Sequence, residues 1–207
     1  MPKVKLSPEL KEAISYLSSS EKDKLLFRLL AKEPLLVEQL IVKLIEGGAS
    51  TEFRRDELRK DLIEQIDFRP FFSSSSLMYD LGEYSSKITF HTRATKDKLG
   101  EIELNLLILI KVLSKHKLEL KNVSAKKINS LVKYVLRRSL KLIDLINKLH
   151  EDYRMEFEDD LRDLAMLIGE LPVLMNAAIF IGFDVNCLVN FEIDMDTKPH
   201  RDYIKFL

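Results

Sequence analysis

Apolar side chains return at helical spacing in successive blocks from Pro8 onward. Ser7 and Pro8 form an N-cap and first-turn pair ahead of Leu10, Ala13, Ile14 and Leu17, spaced i, i+3, i+4, i+7. Ser20 with Asp23 has capping-box spacing and opens a second block, Leu25, Leu26, Leu29 and Leu30, which Pro34 ends. The set Leu36, Val37, Leu40, Ile41, Leu44 and Ile45 predicts a third helix closed by Gly47 and Gly48. Ser50 or Thr51 caps a fourth, with Phe53, Leu58, Leu62 and Ile66 inward and RRDELRKD outward. Two short-linked helical hairpins in succession predict a solenoid-like start to the fold, although no sequence period supports a named repeat.

The pattern breaks at FRPFFSSSS, residues 68–76. Pro70 and the serines stop the helix, and the segment reads as a packed connection anchored by its phenylalanines and ending in an N-cap serine. Leu77, Leu81, Tyr84 and Ile88 resume helical spacing, and the threonines up to Thr95 lower helix propensity enough to place a break near Ala94. Between Gly100 and Gly169 there is no Gly or Pro, so long helices are expected. LNLLILIKVL, residues 104–113, is apolar on nearly every side and should be the most buried helix. A turn at Asn122 and Ser124 then returns the chain along Ile128, Val132, Val135, Leu142, Ile146 and Leu149, an antiparallel partner for the central helix. Pro172 starts a last apolar helix to about Leu188, followed by a packed, irregular tail.

These elements predict an all-α fold: a multi-helical array of antiparallel hairpins around long central helices. Residues 1–70 form a helical-hairpin region, and residues 71–207 form a helical bundle packed with it as one unit. At 207 residues and 46% hydrophobic content the chain can bury a core without staples.

Charge changes one element of this picture. From Leu136 to Asp163 the chain opens on Arg137, Arg138 and Lys141 and closes on a run of acids from Glu151 to Asp160. The apolar stripe continues through Tyr153, Phe157, Leu161 and Ile168, so one very long helix would satisfy it. Cations suit helix C-termini and acids N-termini, so Lys148 and His150 followed by Glu151 and Asp152 favour a break between two helices. Overall, Lys plus Arg and Asp plus Glu are both 33, which leaves no global field to attract nucleic acid or anionic lipid. An electrostatic partner must be met by a local patch.

Such a patch is expected at the tip between the central helices. Lys111, Lys115, His116, Lys117, Lys121, Lys126 and Lys127 gather there with Glu119 as the sole acid. Lys117, Lys121, Lys126 and Lys127 are the candidate residues for binding an anion or an acidic protein surface, and Arg137 and Arg138 extend the set. No aromatic residue is interleaved, which disfavours stacking on single-stranded nucleic acid. The acidic run from Glu156 to Asp163 complements the tip, so weak head-to-tail self-association is also expected.

Catalytic signals are sparse. The chain has no Gly-rich phosphate loop, no dinucleotide fingerprint, no HExxH and no nucleophile elbow. The histidines His91, His116, His150 and His200 never sit three or four apart, so no metal or cofactor is expected. Cys187 is the sole cysteine and reads as a buried small residue, as Tyr134, Tyr153 and Met175 read as core. An unpaired cysteine fits a reducing compartment, and the N-terminus MPKVKLSPEL lacks an export signal, so the cytoplasm is expected. The run from Leu171 to Val189 is apolar but is interrupted by Asn176, Asp184 and Asn186, which disfavours a membrane span. The chain therefore reads as a non-enzymatic helical interaction or scaffold protein with a protein partner; the alternative is a nucleic-acid- or phosphate-binding protein that uses the basic tip.

Overall fold

The structure, a computed structural model, describes residues 5–207 apart from the side chain of Ala125; the export reading of the first four residues lies outside the described residues. The fold is all-α, with no strand among the described residues. The chain begins with α1 (Pro8–Tyr16), capped as expected by the Ser7 hydroxyl accepting from the Leu10 N–H at 3.2 Å. The capping box of α2 (Ser19–Leu30) uses Ser18 and Glu21 rather than Ser20 and Asp23. Both pairs have the required spacing, but the chain is already extended at Leu17, so the first residue able to start a new helix is Ser18.

After Glu33, α3 (Pro34–Leu40) runs into a π-helical turn, Ile41–Ile45. The wider turn carries an extra residue and rotates the stripe that a regular helix would have kept in line. Val42 is therefore buried, while Leu44 and Ile45 are 70% and 78% exposed, against expectation. Gly47 and Gly48 end the segment at positive φ, and the Gly48 N–H donates to the Val42 carbonyl at 3.0 Å.

The charged face of α4 (Thr51–Phe68) leaves Asp56, Glu57 and Lys60 exposed as expected but engages its arginines. Arg54 pairs with Glu38 at 2.8 Å and Glu46 at 2.7 Å, and Arg55 reaches Asp97 at 3.3 Å and Glu103 at 3.2 Å. Of the phenylalanines at the end of α4 and in the connection after it, only Phe71 packs on the core, whereas Phe68 and Phe72 face solvent. Ser73 caps α5 (Ser74–Thr95), which buries Leu77, Leu81, Tyr84 and Ile88. Lys96 adopts the left-handed conformation at the break expected near Ala94.

The core is centred on α6 (Lys98–Lys115), which packs against α4, α5 and α8 (Ala125–Ile146). Leu104, Leu106, Ile108 and Leu109 are fully buried there. Between α6 and α8 lies α7 (Lys117–Lys121), a single turn. The chain does break after Ile146, and α9 (Glu151–Arg154) leads through a 3-10 turn into α10 (Glu158–Glu170). The last turn of α8 carries Asp144 and no cation. Arg154 supplies the charge from downstream, donating to the carbonyls of Asn147 at 2.7 Å and Leu149 at 3.1 Å.

Pro172 opens α11 (Pro172–Phe180), but this helix stops short of Leu188 because Gly182 turns at φ 69° and the Phe183 N–H donates back to the Ala178 carbonyl at 2.9 Å. After α12 (Asn186–Val189), the tail packs through buried Ile193 and forms α13 (Lys198–Tyr203). Arg201 and Thr197 tie it to Asp144. Tyr153, expected in the core, is about half exposed because the break at α9 lifts it off the stripe.

Candidate functional site

The lysines of the tip separate into different roles. Lys115, on the last turn of α6, donates to the carbonyls of Ile66, Asp67 and Arg69, so its ammonium caps the C-terminus of α4. His116 is buried against Phe71, and desolvation together with the charge of Lys115 holds its pKa below the ordinary value. Lys117 pairs with Glu170 at 2.8 Å, and that hydrogen bond draws the carboxyl below its usual range. Lys121 stands exposed beside the same glutamate. Lys126 and Lys127 are exposed in the first turn of α8, and neither makes an ion pair among the described residues.

The larger cationic feature runs along α8. Lys126, Lys133, Arg137 and Lys141 recur at helical spacing with Ser130, and Asp144 is the first acid of the helix. From Lys126 to Lys141 the row spans about 22 Å at 1.5 Å per residue. Beside it lies a groove of about 560 Å³, lined by Met78 of α5 and by Ser130, Lys133, Tyr134, Arg137, Arg138 and Lys141. No carboxylate lines it. Lys141 is held by Glu101 at 2.7 Å at one end, while Lys133 and Arg137 make no ion pair among the described residues.

The floor of the groove is fixed by a small polar network. The Ser85 hydroxyl donates to the Leu81 carbonyl at 2.7 Å, which leaves it to accept from Tyr134 at 2.6 Å and from Arg138 at 3.0 Å. The Arg138 guanidinium also lies over the Tyr134 ring, 5.2 Å from its centroid. A fixed guanidinium flanked by free cations is arranged to receive anionic oxygens. The tip reading reached Lys126 and Arg137 but not Lys133 or Lys141, because it gathered cations by their nearness in sequence. The visible signal was the spacing 126, 130, 133, 137, 141 on a helix without acids.

No family model, curated protein or solved structure matches the chain. The features of the groove must therefore be weighed on their own chemistry.

Other polar clusters are structural in character. His91 and Arg55 both meet the buried Asp97 at 3.3 Å, and Asp97 also caps α6 by accepting from the Gly100 N–H at 2.9 Å. Burial opposes ionisation of Asp97, but these partners outweigh it and its pKa is lowered. Burial, with Asp163 and Asp159 nearby, raises the pKa of Asp160. Burial also pushes the Cys187 thiol up to about 11, which leaves it a poor nucleophile at neutral pH. Among the described residues no group of His, Cys, Asp and Glu is placed to hold a metal ion. No single helix among them is long and apolar enough to cross a membrane; the segments Glu151–Glu170 and Pro172–Phe180 pass that test together but bend by 101° between them.

Proposed function

We propose that the protein is a non-enzymatic helical binding protein of the cytoplasm, and that its groove between α5 and α8 receives the phosphate backbone of a nucleic acid. The observation that carries this reading is a row of cations on α8 with no facing carboxylate along most of its length. An unpaired lysine or arginine releases little on binding a phosphate except counterions, which is the favourable term in polyanion association. Lys126 and Lys127 extend the row toward the tip. The cations are spread along the helix instead of converging on one point, which suits a polymer better than a single anion. Arg138 already covers the Tyr134 ring, so base stacking contributes little and recognition is of the backbone.

Fluorescence anisotropy with labelled single- and double-stranded DNA and RNA tests the proposal. About four phosphate contacts give a log K against log salt slope between about −3 and −4, and charge reversal at both Lys133 and Arg137 roughly halves it. Absence of binding at about 50 mM salt, or a slope unchanged in that double variant, overturns the reading.

A second reading, a scaffold with a protein partner, is favoured by a separate observation. In α1, α2 and α3 no residue is buried, and Leu10, Leu26, Phe27, Leu29 and Leu36 lie open on their surfaces. Exposed apolar residues repeated on three successive helices offer a surface that a protein partner could cover. Weak head-to-tail pairing of two copies would instead use Lys126 and Lys127 against the exposed Glu156 and Asp159, and would fade with salt.

A further inference from the structure

Contacts to phosphates along α8 do not by themselves distinguish one strand from two. A second groove, of about 480 Å³, lies on an adjacent face of that helix, between α8 and α11. Exposed Lys126, Asn176 and Phe180 and half-buried Asn129 and Val173 line it, and no acidic side chain does. Lys126 joins the two grooves. It stands about one turn before Ser130 of the cationic groove and also lines this second space. We infer that the nucleic acid is single-stranded and that this groove holds one of its unpaired bases, stacked on Phe180 with its edge at the Asn129 and Asn176 amides.

This site rests on the phosphate reading of α8, since a strand must lie along the helix before one of its bases can enter. At Tyr134 the ring is covered by Arg138, but the Phe180 ring, at the end of α11, is 57% exposed. In a duplex each base is already stacked and its pairing edge is occupied, so only an unpaired base can lie on that ring. The amides set the edge. Asn129 donates from its side-chain nitrogen to the Leu207 carbonyl at 2.8 Å, which fixes it and leaves its oxygen to accept. Asn176 is exposed and makes no side-chain hydrogen bond among the described residues. A free amide offers a donor and an acceptor side by side, the pair that adenine answers with its N7 and its amino group. A base is neutral and needs no cation within the groove, while Lys126 at the rim meets the phosphate attached to it.

Fluorescence anisotropy of the whole protein with labelled oligo(dA), oligo(rA), oligo(dC) and a blunt duplex, each about 12 nucleotides long, tests the inference. Both adenine strands should bind more tightly than oligo(dC) and than the duplex. Phe180→Ala should weaken the single strands about fivefold or more and leave duplex affinity and the salt slope unchanged, because an uncharged ring releases no counterion. Asn176→Leu should remove the advantage of adenine over cytosine. The chain contains no tryptophan, so Phe180→Trp supplies a sole indole. That variant should keep its strand affinity, and oligo(dA) but not the duplex should quench its emission. Phe180 and Asn176 are exposed, so circular dichroism of every variant should stay helical. Strand binding indifferent to Phe180→Ala, an unquenched indole, or a duplex bound more tightly than the strands overturns the inference and leaves the backbone reading standing. Binding of neither strand nor duplex at about 50 mM salt overturns both.

Discussion

The arm made by α1, α2 and α3 and the central helices α6 and α8 carry the same kind of hydrophobic pattern, yet they end in opposite environments. Leu106 and Leu109 are sealed among α4, α5, α8 and α10, whereas Leu26 and Leu29 remain 48% and 53% exposed on a helix with an equally regular stripe. Periodicity states which side of a helix is apolar. It does not state that anything will cover that side. The central helices find neighbours on several sides, while the arm is held mainly where α3 rests on α5, with Gln39 donating to the Arg93 carbonyl at 2.8 Å.

The largest test of this contrast is at the centre. Leu109→Ala should lower stability by about 2 to 5 kcal/mol, the range for a buried leucine that leaves a cavity, measured by urea or guanidinium denaturation. A loss below about 1 kcal/mol would mean that the centre is as loosely covered as the arm.

Acid should separate the regions next. His116 is buried in the packed part, and none of the histidines lies in the arm. Its folded pKa lies below the unfolded value near 6.5, so the neutral ring is the form that folding favours. The stability it contributes is present above that unfolded pKa and is lost as pH falls through the folded one. His116→Phe should therefore flatten the decline in denaturation midpoint between about pH 7 and about pH 5. An unchanged slope would assign the acid response elsewhere.

The smallest effect belongs to the arm. Leu26→Ser and Phe27→Ser should each change stability by less than about 0.5 kcal/mol, as exposed positions do. A cost comparable to that of Leu109→Ala, growing with protein concentration, would mean that the arm is covered in solution by a second copy.

Much of the fold was legible. The Ser7 and Pro8 start, the Ser73 cap, the break near Ala94 and the buried run from Leu104 to Leu113 all follow from local chemistry that the tertiary structure leaves intact. The misses arise where a neighbour or a backbone irregularity decides. No propensity marks the π turn at Ile41, and Gly182 ends α11 within a run that reads as continuously apolar. The outward reading of RRDELRKD holds for Asp56, Glu57 and Lys60 but fails at Arg54 and Arg55, because Glu38, Glu46, Asp97 and Glu103 are close to them in space. The candidate surface was legible in part. Lys126 and Lys127 belong to it, but Lys115 and His116 turn inward, and Lys133 and Arg137 become its centre only when the helix is laid against α5.

The cap that Lys115 places on α4 bears on the order in which the chain assembles. α1 and α2 carry their own starts, a hydroxyl within three residues of the amide it serves, and need nothing from distant parts of the chain for that end. The carbonyl of Ile66 waits for an ammonium 49 positions later, at the final turn of another helix. Closing so long a loop is entropically expensive and comes late, so the end of α4 frays until α6 has grown to full length. In a nascent chain that has emerged only as far as α5, the last carbonyls of α4 are left to water.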